Sequence, residues 1–277
     1  MLSQSEMRWG VESRRSEILE KVRLERQVRT EDLAEFFGVS VMTIHRDLDF
    51  LAGIGKVEKF RGGARANDCG FGERDVAVRR ATNTAIKRAL AGEVGTLIRD
   101  GDVVALDDST TVEACLDDVI GAGAAGIITH SLPLMTQISK SAPHIALTGV
   151  GGRYVAATDS FLGSATCRAV DKLFASVSVV STTCITAGAI YHPDEDAAIT
   201  KASFTKLGER RILVTDSSKF DNVGMHFVAK LKDFDDIIID SNLTEEQRAM
   251  LEASGASLHL VDTTEPEPTH PTPSVLK

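Results

Sequence analysis

Thr30-Glu31-Asp32-Leu33-Ala34-Glu35-Phe36-Phe37-Gly38-Val39-Ser40-Val41-Met42-Thr43-Ile44-His45-Arg46-Asp47-Leu48 reads as two short helices joined by a tight turn. Thr30 suits an N-cap, and Glu31 and Asp32 suit the positive end of a helix dipole. Leu33, Ala34 and Phe37 share one helical face. Gly38 can take the left-handed conformation that ends a helix, and Ser40 can cap the next one. A helix, a glycine-containing turn and a second helix make a helix-turn-helix.

The second helix is expected over 41–51, with Ile44, Leu48 and Leu51 as its buried stripe. Met42, His45, Arg46 and Asp49 lie on the opposite face, which can enter a major groove. Thr43, near the helix start, can reach a phosphate. After the helix, Gly55 to Gly63 alternates in the manner of a small β-hairpin, with Lys56, Lys59 and Arg61 placed for phosphate contact. Residues 13–66 therefore read as an α+β winged helix-turn-helix. Its candidate DNA contacts are Thr30, Ser40, Met42, Thr43, His45, Arg46, Asp49, Lys56, Lys59 and Arg61, and its partner would be double-stranded operator DNA. An amphipathic helix pair with a glycine turn can also be a plain packing unit, so periodicity alone leaves both readings open.

Charge distribution favours the first. The 277-residue chain has a net charge of −9, but residues 1–66 hold 12 basic and 11 acidic side chains against 19 and 29 in the remainder. A relatively basic segment on an acidic body points to a nucleic-acid-binding part. No apolar run is long enough to span a bilayer and the N-terminus has no secretory pattern, so a cytoplasmic, membrane-free protein is expected. Cys69, Cys115, Cys167 and Cys184 show no metal-ligand spacing, and reduced thiols, no metal and no cofactor are expected.

Beyond a linker over 67–83, residues 84–262 alternate short β-branched runs with helical stretches. The strand candidates are 103–106, 126–129, 145–148, 176–180, 212–215, 237–239 and 258–261; the helices are 112–119, 133–139, 165–173, 197–207 and 245–253. The alternation implies an α/β domain with a mainly parallel sheet, whose ligands sit beyond the carboxyl ends of the strands. The proline- and threonine-rich tail, 263–277, is expected to be disordered.

The loops after those strands are polar. Asp107, Asp108, Ser109, Thr110 and Thr111 follow the first, and Thr129, His130 and Ser131 the second. Gly149, Gly151 and Gly152 follow the third, and Asp216, Ser217 and Lys219 come after 212–215. Hydroxyls and N–H groups at a helix start suit phosphate, glycines allow close backbone approach, and carboxylates suit sugar hydroxyls. Each loop alone is more often a mere helix cap; the recurrence at successive strand ends favours a small polar ligand.

Val39-Ser40-Val41-Met42-Thr43-Ile44-His45-Arg46-Asp47-Leu48, with Leu51, Gly55 and Arg61-Gly62-Gly63-Ala64, resembles the N-terminal signature of the DeoR family of bacterial repressors, V-S-x-x-T-I-R-R-D-L, L-x-x-x-G and H-G-G-A. The second block resembles that family's sensor domain. L-D-S-G-T-T-T corresponds to Leu106-Asp107-Asp108-Ser109-Thr110-Thr111-Val112, T-N-S-L to Thr129-His130-Ser131-Leu132, G-G-R to Gly151-Gly152-Arg153, and D-S-S-K-F to Asp216-Ser217-Ser218-Lys219-Phe220. An E-A-x-V-K element corresponds to Asp196-Ala197-Ala198-Ile199-Thr200, with Lys201 displaced by one. The resemblance implies a ribose-5-phosphate-isomerase-like sensor fold and a phosphorylated sugar or polyol effector bound without turnover. Its site would draw on Asp107, Ser109, Thr110, Thr111, Thr129, His130, Ser131, Gly149, Gly151, Gly152, Lys201, Asp216, Ser217 and Lys219.

The chain departs from the family pattern at His45 (usually Arg), Arg61 (often His), Ser109 (Gly) and His130 (Asn), and Ser181–Cys184 replaces a segment that usually contains Gly. Histidine is largely uncharged near neutral pH, so His45 weakens a phosphate or guanine contact. The implied function is a transcriptional repressor of carbohydrate-metabolism genes with no catalytic residues, acting as a homodimer or homotetramer, because one recognition helix makes too few base contacts. The alternative is a sugar-phosphate isomerase or deaminase carrying a DNA-binding appendage.

Overall fold

The computed structural model describes residues 10–25, 27–53, 56–66 and 76–263. Expectations for Gly55, Cys69, 67–75 and the tail from 264 lie outside the described residues. The chain divides at Thr84/Ala85 into two compact units.

The first unit runs α1 (Val11–Glu25), β1 (Gln27–Arg29), α2 (Thr30–Phe37), α3 (Val41–Gly53), β2 (Val57–Phe60), β3 (Gly63–Ala66) and α4 (Val76–Ala81). Its core joins Ile18 and Val22 of α1 to Leu33, Phe37, Ile44, Leu48 and Leu51 of the helix pair and to Val28, Val57 and Ala64 of the strands. Gly38 ends α2 at φ 63°, ψ 34° as the sequence predicts, and Ser40 caps α3 by accepting from Thr43 N at 3.1 Å. β2 and β3 form the expected hairpin, and β1 adds a third antiparallel strand beside β3. Gly62 makes its turn at φ 93°, which favours glycine. A side chain at Gly63 would collide with the Val28 carbonyl oxygen, so this strand start must be glycine.

Thr30 is a correction. It is the first residue of α2, not its cap. Arg29 ends β1 in extended conformation and thereby occupies the cap position, while Thr30 N donates to Gly62 O at 3.0 Å. Strand pairing thus moved the helix boundary by one residue.

The second unit begins with α5 (Thr84–Leu97) and β4 (Val103–Leu106), α6 (Thr110–Glu113), α7 (Leu116–Gly121), β5 (Gly126–Thr129), α8 (Leu132–Ser141) and β6 (Ala146–Gly149). A hairpin of β7 (Arg153–Val155) and β8 (Ser160–Leu162) follows, then α9 (Ser164–Val170), β9 (Ala175–Val180), β10 (Cys184–Thr186), β11 (Ala189–His192) and α10 (Glu195–Leu207). The unit ends with β12 (Gly208–Val214), a 3-10 turn over Ser217–Asp221, β13 (His226–Lys230), β14 (Asp236–Asp240), α11 (Glu245–Glu252) and β15 (Ser257–Val261). The helix expected over 112–119 is two helices, broken where Cys115 N turns back to Val112 O at 3.0 Å.

All seven expected strands form one sheet in the order β15-β14-β12-β9-β4-β5-β6, with every pairing parallel. Alternate side chains feed two apolar layers. Val104, Leu106, Ile127, Val179, Ile212 and Ile238 face one, whereas Ala105, Ile128, Val180, Leu213, Ile237 and Ile239 face the other. Burial on both faces is why these strands read as continuous apolar runs. A separate antiparallel sheet, β10-β11-β13, adds to the second layer.

Strand order grows outward from the β4/β9 pair, through β5 and β6 on one side and β12, β14 and β15 on the other. The order reverses at the carboxyl ends of β4 and β9, the usual place for a ligand in such a sheet.

Candidate functional site

On α3, Met42, Arg46 and Asp49 are exposed and His45 is half-buried, all on the face opposite Ile44, Leu48 and Leu51. Thr43 Oγ1 lies 2.9 Å from Ser40 Oγ, so both hydroxyls sit at the helix start. Asp49 binds Lys59 of β2, which fixes the strand against the helix. Arg61 is exposed at the hairpin turn, while Lys56 is half-buried with its N–H donated to Leu51 O at 2.8 Å. Thr30 does not join this face: it is buried, and its Oγ1 has no hydrogen-bond partner.

Asp47 was absent from the sequence-derived list, yet it anchors the recognition helix. The residue is 2% exposed, and its carboxylate accepts from Arg14 Nε at 2.6 Å and Arg15 Nε at 3.0 Å, joining α1 to α3. The Arg15 guanidinium also stacks 3.7 Å over the Phe50 ring. Asp47 lies on the stripe of Ile44, Leu48 and Leu51. A charge on an apolar stripe is the sequence signal for such a pair, since burying an unpaired carboxylate is costly.

The second unit's centre is Asp107, fully buried where β4 ends. It accepts from Ser109 N at 2.9 Å, Ser109 Oγ at 3.0 Å and Ser181 N, beyond β9, at 3.1 Å. Lys201 of α10, also buried, completes the set with an ion pair and reaches Ser109 Oγ at 2.9 Å. One carboxylate at the strand reversal thus draws in three segments. Asp108 lies 3.7 Å from Lys201 Nζ and 3.8 Å from His130 Nε2. Lys87 of α5, which the sequence reading missed, donates to Thr110 Oγ1 at 3.0 Å. It too sits on an apolar stripe, with Leu90, Ala91 and Val94.

Asp107, Ser109, Thr110, His130 and Lys201 come together here. Thr111 is buried and its carbonyl accepts from Cys115 Sγ at 3.3 Å. Thr129 Oγ1 accepts from Ser131 N at 3.1 Å, and Ser131 Oγ caps α8 through Leu134 N at 3.4 Å, so these two hydroxyls shape their loop. Gly149 packs on Met135; Gly151 O accepts from Thr166 Oγ1 at 3.1 Å, and Gly152 has no room for a side chain beside that hydroxyl. The loop after β12 is separated from that after β4 by β9, about 10 Å at ordinary strand spacing. There Asp216 pairs with Lys219 at 3.2 Å and binds Ser218, while Ser217 N and Oγ donate to Asp240 at 2.6 and 2.8 Å. Burial alone would raise the Asp216 carboxyl's pKa, but the Lys219 charge and the Ser218 hydrogen bonds outweigh it and hold it below the ordinary range.

The β7-β8 hairpin closes against β5. Ser160 Oγ donates to Asp108 Oδ2 at 2.6 Å, Phe161 N donates to His130 O at 3.0 Å, and His130 Nδ1 meets Phe161 O at 3.0 Å. Cys115, Cys167 and Cys184 are free thiols, and burial beside Asp118 and Asp107 pushes the Cys115 thiol far up. No cluster able to hold a metal, and no helix long and apolar enough to cross a membrane, occurs among the described residues.

Comparison with known proteins agrees with this architecture. The family model for the DeoR-like helix-turn-helix domain matches residues 14–69, and that for the DeoR C terminal sensor domain matches 82–241. The chain is 29% identical over 265 residues to an Escherichia coli O157:H7 protein whose name assigns it to repression of the aga operon, covering 91% of this chain and 94% of that one. It is 27% identical over 230 residues to the lactose phosphotransferase system repressor of Staphylococcus aureus (strain NCTC 8325 / PS 47), covering 82% and 91%. Ribose 5-phosphate isomerase A of Neisseria gonorrhoeae overlaps 52% of this chain and 55% of that chain at 12% identity and a TM-score of 0.37, too low to carry a relationship. With both family models matched in order along one chain, the protein belongs to the DeoR family, a helix-turn-helix domain followed by a DeoR sensor domain.

Proposed function

We propose that this chain represses carbohydrate-metabolism genes and that a phosphorylated sugar or polyol controls its affinity for operator DNA. The carrying observation is the Asp107–Lys201–Ser109 cluster, a charged and hydroxyl-rich group built where a parallel sheet reverses its strand order. Family membership and relatives named as repressors of sugar operons support the same reading over the enzyme alternative.

In this reading Met42, Thr43, His45 and Arg46 address the major groove, Ser40 shapes the helix start, and Lys56, Lys59 and Arg61 meet phosphates, with Asp49 holding Lys59 in place. Ser109, Thr110, His130 and Lys201 contact the effector, and Asp107 positions Ser109 and Lys201. Thr111, Thr129, Ser131 and Gly149 shape the walls; Gly151, Gly152, Asp216, Ser217 and Lys219 flank them. A cytoplasmic homodimer or homotetramer would place two recognition helices about one DNA turn apart. The effector acts by differing in affinity for the DNA-competent and DNA-incompetent states, as inducer or corepressor.

Thermal denaturation with unphosphorylated sugars, inorganic phosphate and sugar phosphates tests the sensor half. A ligand at 100 times its Kd stabilises the native state by about 2.7 kcal/mol. A phosphorylated sugar or polyol should raise Tm where the parent sugar does not; a panel without any effect contradicts the proposal.

A further inference from the structure

We propose that His130 reads one hydroxyl group of the effector through Nε2, an assignment that rests on the effector reading above. Nδ1 lies 3.0 Å from the Phe161 carbonyl oxygen. A carbonyl only accepts, so Nδ1 carries the proton, and in the neutral ring Nε2 is then an acceptor. That atom is shut away from solvent and has no hydrogen-bond partner. Asp108 Oδ1, at 3.8 Å, is beyond hydrogen-bond reach and is itself an acceptor when ionised.

The ring cannot turn to another partner. Besides the Nδ1 bond, its own backbone is tied to the hairpin through Phe161 N, and the ring lies against Phe204, tilted at 45° with 4.5 Å between centroids. Phe204 stands one turn beyond Lys201 on α10, so the same helix that neutralises Asp107 also sets the ring. What the ring offers is a fixed, buried acceptor 3.8 Å from Asp108, whose Oδ1 is itself 3.7 Å from Lys201 Nζ.

Ligand chemistry follows from that. A phosphate oxygen at neutral pH is an acceptor and gains nothing at a neutral Nε2. A sugar or polyol hydroxyl can donate its proton to Nε2 where water does not compete. His130 therefore faces the carbon chain of the effector, with the phosphate placed elsewhere in the site. The family pattern has Asn at this position, whose amide donates as well as accepts; histidine held by Phe161 narrows the choice to a donor.

Titration calorimetry of the full chain with pentose, hexose and hexitol monophosphates, with inorganic phosphate as control, finds a compound that binds. Its monodeoxy analogues are then titrated against wild type and His130→Phe. The wild type should lose about 10-fold in affinity for one analogue, and His130→Phe should bind parent and that analogue equally. A His130→Phe protein that still discriminates, or a wild type indifferent to every deoxy position, overturns the assignment and leaves the sensor reading intact. A wild type that binds none of the compounds overturns both. Where His130→Phe does not fold, wild type labelled with 15N-histidine decides. The parent compound and not the deoxy analogue should shift the His130 Nε2 resonance, and an unmoved Nε2 overturns the proposal.

Discussion

Lys201 and Asp107, 94 positions apart in the chain, form a buried ion pair at the strand-order reversal of the sensor sheet. Both side chains are at most 5% exposed, so neither charge has water as an alternative partner.

Replacing Lys201 with Ala should therefore cost more than a lost contact. Asp107 would keep its N–H and hydroxyl donors but lose its counter-charge, a change worth about 3–5 kcal/mol. For a unit of this size, calorimetry should show the sensor transition lowered by ~6–20 °C. A shift under about 2 °C would mean that the pair is not needed to hold this end of the sheet.

Asp47→Ala should destabilise the helix-turn-helix by about 3 kcal/mol, because Arg14 is buried with its charge directed at that carboxylate. DNA affinity should fall with it, although Asp47 is itself buried beneath the recognition face. The Tm rise of the sensor transition on effector addition should be unchanged; loss of that rise would contradict the division of labour between the units.

Arg46→Ala should weaken DNA binding by about 1–3 kcal/mol without altering effector affinity. His45→Arg should do the opposite and steepen the plot of log affinity against log salt by about 1, because it adds a permanent charge to the exposed face. Anisotropy titrations at several salt concentrations measure both, and equal loss of DNA and effector binding in Arg46→Ala would refute the two-module picture.

Acid should destabilise the sensor unit partly through Asp236. Burial alone would raise this carboxyl's pKa, but hydrogen bonds from Arg210 at 2.6 Å and His259 at 2.9 Å outweigh it and hold it below the ordinary range. A folded pKa below the unfolded value of about 3.9 gives stability that is present above that pH and lost as pH falls through the folded value. Asp216 acts in the same direction. Wild-type Tm should fall between about pH 5 and pH 2, and Asp236→Asn should fall less over that window; parallel curves would show that the pairing carries no pH dependence.

The five inner strands of the main sheet were legible because each carries an apolar run buried on both faces, and β4 and β5 match their expected bounds, 103–106 and 126–129; the edge strands β6 and β15 are more exposed and were legible only as short apolar runs. β10, β11 and the β7-β8 hairpin were not, since these short strands mix polar and aromatic residues with apolar ones and form no continuous β-branched run. The polar loops pointed to the right end of the sheet, but periodicity could not say which residues meet. Asp47 and Lys87 interrupt apolar stripes, which announces a buried partner without naming it. Arg14 is 33 positions from Asp47 and Thr110 is 23 from Lys87, separations at which only the fold chooses the pair.

The central claim is that a phosphorylated metabolite in the sensor unit changes DNA binding by the helix-turn-helix. It is tested most directly by titrating the chain onto DNA from upstream of its own gene at one fixed salt concentration, with and without each sugar or polyol phosphate. Specific binding that one phosphorylated compound shifts by 5-fold or more, roughly 1 kcal/mol of coupling, and that its unphosphorylated parent leaves unchanged is the predicted result. Specific binding that no compound alters would contradict the claim.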